Sequence, residues 1–148
     1  PAIVDFDATK FEGTAWRCKA SGNRPEITVN LDELYEDSEG MGCYFTGSVE
    51  CATTGKMSIT KEDIAGGNLG NYVMLTSVKI GENLIISFNV GATNNANDYI
   101  QIDGVITPSN PDTVNVVYLL VDYDDMDRSD YEYDIESDPE DVELKKVI

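Results

Sequence analysis

Histidine is absent from these 148 residues, and that absence removes much of the common catalytic and metal chemistry. A Ser–His–Asp or Cys–His nucleophile needs an imidazole. Zinc sites are usually built from histidine and closely spaced cysteines. Here the three cysteines, Cys18, Cys43 and Cys51, contain no C-x-x-C pair, and an odd number makes no closed disulfide framework. Cations are scarce as well: 10 Lys+Arg stand against 28 Asp+Glu, for a net charge of −18. Phosphate neutralisation needs lysine and arginine, so nucleic acid is excluded as a direct partner. Anionic membrane surfaces are disfavoured for the same reason. No apolar run is long enough to span a bilayer. There is no P-loop or dinucleotide fingerprint, since Gly66-Gly67 and Gly70 lead into a strand pattern. With 28 acidic residues, paired carboxylates arise by chance and carry no catalytic signal. The sequence therefore predicts a non-enzymatic protein without cofactor or metal.

No signal-peptide pattern is visible. Pro1 fits removal of an initiator methionine better than signal-peptidase cleavage, which tolerates proline poorly after its cut. Cytoplasmic synthesis is the expectation. At this length the chain fits one domain with a real core.

What is present is alternation with period two, interrupted by Gly, Asn and Pro. Ile3, Val4, Phe6 and Phe11 anchor a lead-in over 1–12. Thr14–Lys19 reads as a strand carrying Trp16, and 26–31 as one with Ile27, Val29 and Leu31 on one face. Asn30-Leu-Asp-Glu33 resembles a capping box, which predicts one or two helical turns through Tyr35. Residues 36–42 read as an acidic, glycine-containing turn. Over 42–51, Cys43, Phe45, Val49 and Cys51 face one way and Tyr44, Thr46, Ser48 and Glu50 the other; buried free thiols follow. Lys56–Thr60 is a short strand. Thr60-Lys-Glu-Asp63 predicts a single capped helical turn ending at Gly66-Gly67. Tyr72–Ile80 and Leu84–Val90 form a hairpin joined at 81–83. Tyr72, Met74, Val78 and Ile80 share one of its faces, and Leu84, Ile86, Phe88 and Val90 another. Gly91–Asn97 reads as a polar loop, and 98–106 as a strand with Ile100, Ile102 and Ile106 inward. Pro108–Pro111 is a turn. Val114–Asp124 is the last core strand, with Val117, Leu119, Val121 and Tyr123 on one face and Val116, Tyr118 and Leu120 on the other. About eight strands at this spacing, with no helix of ordinary length, predict an all-β fold, a single antiparallel sandwich or barrel.

The core strand runs straight into twelve carboxylates between Asp122 and Glu143, with Arg128 as the one cation. The expected division is a β-domain over 1–124 and an extended acidic C-terminal arm over 125–148. Tyr131, Tyr133 and Ile135 alternate with carboxylates, as in a strand that adds to a neighbour's sheet. Val142, Leu144 and Ile148 offer a last apolar anchor. These six residues are the candidate partner-binding set. Asp125, Asp127, Ser129, Tyr131, Tyr133 and Glu136 occupy EF-hand ligand positions, but Asp130 replaces the required glycine and no helices flank them. A specific calcium site is not expected; diffuse binding of divalent cations by clustered carboxylates stays open.

Gly13-Thr14-Ala15-Trp16 resembles the Gly-x-Trp opening of lipocalin-type barrels, with one residue too many before the tryptophan, over four residues only. The resemblance implies a ligand cavity. The plainer expectation is that Trp16 plugs the bottom of the core. Three function classes follow. The first is a structural subunit of an assembly that contacts copies of itself and other subunits through its terminal arms. A virus or phage virion component, of the capsid-decoration or tail and connector type, suits the acidic all-β body. The second is a lipocalin-like small-ligand-binding barrel. The third is an acidic inhibitor or chaperone for a basic protein partner.

Overall fold

The computed structural model describes residues 6–38 and 42–148. The anchors Ile3 and Val4, and residues 39–41 of the acidic turn, lie outside the described residues. A 3-10 helix, Ala8–Phe11, precedes ten strands: β1 (Thr14–Cys18), β2 (Ile27–Ser38), β3 (Gly42–Cys51), β4 (Gly55–Ile59), β5 (Tyr72–Ile80), β6 (Asn83–Thr93), β7 (Tyr99–Thr107), β8 (Asn110–Asp122), β9 (Tyr131–Asp134) and β10 (Glu143–Lys146). One short helix, α1 (Lys61–Ala65), lies between β4 and β5. Its Thr60 hydroxyl accepts from the Asp63 N–H and the Asp63 carboxylate accepts from the Thr60 N–H, the capping box that the sequence predicts.

Eight strands close an antiparallel barrel in the order β1-β2-β3-β5-β6-β7-β8-β10 and back to β1. β4 pairs with β3 beside the short β3–β5 contact, and β9 extends the edge of β8 beyond β10. Alternation explains the core. Ile27, Val29, Leu31, Phe45, Val49, Phe88, Val90, Ile100, Ile102 and Ile106 all point inward and are buried, each stabilising the fold by about 1.5–3 kcal/mol. Among the described residues no cysteine forms a disulfide, and Cys18, Cys43 and Cys51 are all buried.

The extended acidic arm is not found. Residues 131–134 and 143–146 are strands of the same sheet, because Tyr133, Val142 and Leu144 carry the apolar face that the open edges of β8 and β1 must cover. Residues 30–35 are strand rather than helix. Here the pairing skips from Leu31↔Gly47 to Leu34↔Phe45, a bulge in which the Glu33 N–H donates to the Thr46 hydroxyl. Local capping chemistry yields to sheet closure, and the bulge bends β2 round the barrel. The expected loop at 91–97 begins later: β6 continues through Thr93, with Ala92 buried. In β8 the pairing passes from Asp103↔Tyr118 to Gly104↔Val116. Val117 is the extra residue, so Val116 turns inward with Leu119 and Val121 instead of opposing them.

At the β2 bulge the two backbones approach so closely that a Cβ on Gly47 would strike the Asn30 carbonyl. Gly47→Ala is expected to cost about 1–3 kcal/mol, as over-packing does. A urea melt checks this; an unchanged midpoint would mean that the bulge relaxes freely.

Candidate functional site

The structure separates the six residues expected to bind a partner. Tyr131 and Tyr133 lie on β9 opposite Val121 and Leu119. Tyr133 is buried and its hydroxyl donates to the Glu140 carbonyl at 2.8 Å; the Tyr131 hydroxyl donates to Glu140 Oε1 at 3.2 Å. Burial pushes both phenols above the ordinary tyrosine value, so they stay protonated donors near neutrality. Val142 and Leu144 are buried in the barrel's own core. Ile135 and Ile148 remain exposed, one beside Val117 and the other beside Ala15. Four of the six therefore pack on their own chain.

Two concavities stand out. One is a pocket of about 330 Å³ at the barrel end capped by the 3-10 helix. Its floor is aromatic and aliphatic: Phe6, Phe11, Trp16, Leu84, Ile86 and Ile106, with Pro108 and Pro111 at the side. Local geometry places each of these. The Asp7 carboxylate caps the helix by accepting from the Thr9 N–H and hydroxyl, and those bonds hold its carboxyl below the ordinary value. The helix thereby sets Phe11 against Trp16, with ring centroids 6.1 Å apart and planes 16° apart. Phe6 follows at 6.0 Å from Phe11, and Trp16 packs on Phe88 at 5.8 Å. The Trp16 indole N–H donates to the Thr14 hydroxyl at 3.0 Å, which donates to the Phe11 carbonyl at 2.7 Å. The polar atoms nearest the floor are thus spent on one another, and the wall offered to a ligand is apolar. Lys10, Lys146, Asp7 and Asp112 form the rim.

The other is an outer groove of about 640 Å³ between the barrel wall and α1 with the segment that follows it. Tyr44, Tyr72, Met74, Asn89 and Asp103 come from the wall; Asn68, Leu69 and Asn71 come from the overhang.

Sequence reasoning named Phe6 and Phe11 as anchors and placed Leu84 with Ile86 on one face, yet it did not bring them to one end with Trp16. The signal was divided among strands whose register only pairing reveals. Among the described residues no group of three or more cysteines and carboxylates is placed to hold a metal, and no helix is long and apolar enough to cross a membrane. Burial raises the Cys18 thiol, which leaves it a poor nucleophile. No protein-family model matches the chain, and no curated protein or solved structure shows detectable similarity to it.

Proposed function

We propose that this chain is a non-enzymatic binding barrel that takes a small, largely apolar ligand in the pocket at the helix-capped end. The observation that carries this reading is the apolar pocket lined by Phe6, Phe11, Leu84 and Ile86 over the buried Trp16, with the neighbouring polar atoms already paired. The Gly13–Trp16 resemblance, which implies a ligand cavity, supports the same reading, with Trp16 itself buried beneath the pocket as a plug of the core. At about 330 Å³ it sits at the small end of ligand pockets, so the ligand is a short aliphatic chain or a single ring system. Its polar end would lie at the rim, near Lys10 and Lys146.

Trp16 is the sole tryptophan and reports binding directly. Titration with decanoic acid and with 1-decanol is expected to change its emission saturably. Ile86→Phe, which fills the pocket, is expected to abolish the change while preserving the fold. A linear, unsaturable response, or one unaltered in Ile86→Phe, overturns the reading.

A second reading keeps the chain as a subunit of a larger assembly, a virion component among the options. β10 is a terminal strand paired through two registered residues to β1 and three to β8, so the equivalent strand of another copy fits the same berth. Light scattering tests it: a monomer at every concentration rules out exchange.

A further inference from the structure

The geometry points to a second binding site, for a neutral oligosaccharide, in the outer groove. Strand register builds its floor. Glu36 pairs with Tyr44, Tyr44 with Met74, Met74 with Asn89 and Asn89 with Asp103. These five residues form one row across five strands, all on the outward parity. Four strand spacings make the row about 19 Å long, which suits a short chain of linked rings.

The groove is preformed. On the overhang, the Asn68 amide donates to Asp63 and its oxygen accepts from the Gly70 N–H. Asn71 makes two bonds to Thr93 on β6. On the floor, Tyr72 crosses Gly91, where an added Cβ would come within 2.5 Å of the ring. The Tyr99 hydroxyl beside it donates to Gln101 at 3.4 Å, and Gln101 in turn donates to Asp103 Oδ2 at 2.8 Å. That chain fixes one oxygen of Asp103. The Asn89 amide and the Tyr44 hydroxyl have no hydrogen-bond partner among the described residues.

The chemistry narrows the ligand. No lysine or arginine lines the groove, while Glu36, Asp63 and Asp103 do, so an anionic ligand is repelled. A wholly apolar ligand would desolvate the amide of Asn89 and the carboxylate of Asp103 without pairing them. A sugar ring offers what both surfaces need: apolar faces for Tyr44, Tyr72 and Met74, and hydroxyls for Asn89 and Asp103.

Affinity electrophoresis of the full chain tests the site, in native gels cast with hydroxyethyl cellulose, xylan, galactomannan or glycogen. At least one of the four is expected to retard the protein. Asn89→Ala and Asp103→Ala are expected to weaken that interaction at least tenfold while the thermal melt is unchanged, and Tyr44→Phe to keep most of it. The Trp16 response to decanoic acid in the end pocket is expected to persist in all three variants. Retardation by none of the four, equal retardation of the alanine variants, or calorimetric binding of spermidine without polysaccharide binding overturns the inference.

Discussion

Truncation after Ser137 is expected to abolish cooperative folding. The shortened chain keeps β9 but loses β10, the strand that closes the barrel between β8 and β1. Val142 and Leu144, both buried, go with it, and their removal costs about 3–6 kcal/mol of burial. Three backbone anchors are lost as well: the Val116 N–H to the Val142 carbonyl, the Val147 N–H to the Ala15 carbonyl and the Ala15 N–H to the Ile148 carbonyl. Against a net stability of about 5–15 kcal/mol for an ordinary domain, the lost burial and hydrogen bonds together remove a large part of it, and opening the barrel removes the closed pairing that makes folding cooperative. The newly open edges of β1 and β8 would also template aggregation. The measurement is a urea melt followed by circular dichroism and Trp16 emission. A truncated chain melting at the full-length midpoint would show 138–148 to be a dispensable tail. Leu144→Ala gives the graded version, with an expected cost of about 2–5 kcal/mol.

This outcome runs opposite to what the carboxylate run suggests on its own. Twelve acids in 22 residues read as a solvated arm, yet repulsion among exposed carboxylates is screened within about 8–10 Å in salt. Three apolar side chains decide instead: Tyr133, Val142 and Leu144 are all buried. Their alternation was visible in the sequence; whose sheet they would join was not, because a free edge on the same chain looks like a free edge on a neighbour. The same boundary runs through the rest of the fold. Ile27, Val29 and Leu31, or Cys43 and Phe45, disclose their inward face by parity alone. The capping box of α1 is a contact between residues three apart, and Thr60 and Asp63 announce it. Asn30 and Glu33 have the same spacing and form a bulged strand, because β3 lies alongside and supplies Thr46. Val117 reverses a parity that was otherwise regular, and nothing in its side chain signals a bulge. The pockets are less legible still. The end pocket needs Phe11, Ile86 and Ile106 to meet, and the outer groove needs the register of five strands. Neither is a pattern within one stretch of chain.

Asp98→Ala is expected to be strongly destabilising, at about 2–4 kcal/mol, somewhat less than for a fully buried ion pair, because Arg128 keeps contact with solvent and with Asp125. Asp98 is 1% exposed and ties three segments together at the barrel end away from the helix. Its Oδ1 accepts from Arg128 Nη2 at 2.9 Å and from the Asp124 N–H at 3.2 Å, and its Oδ2 accepts from Asn94 at 3.1 Å. Arg128 in turn donates to the Thr53 carbonyl and lies 4.6 Å over the Tyr123 ring. Removing the carboxylate leaves the guanidinium, 27% exposed, with Asp125 at 3.6 Å as its remaining carboxylate; the Asn94 amide keeps its bond to the Thr54 carbonyl, and the Asp124 N–H loses its acceptor. Burial alone would raise the Asp98 carboxyl; the bonds from Asn94 and Asp124 and the charge of Arg128 outweigh it and hold the group below the ordinary carboxylate value. A depressed acid stabilises the fold above its unfolded value, near pH 4, and that contribution fades as pH falls through the lower folded value. The remaining carboxylates act the other way at first, since their protonation relieves the repulsion of a net charge of −18. Thermal melts from pH 7 to pH 2.5 separate the two effects when wild type is compared with Asp98→Asn, which keeps the shape and removes the charge. Relief of repulsion moves both proteins alike. The gap between them is expected to be widest at neutral pH and to close in acid, as Asp98 itself becomes neutral. A gap that stays constant across the range would mean that the Asp98 charge contributes nothing and that shape alone holds the three segments.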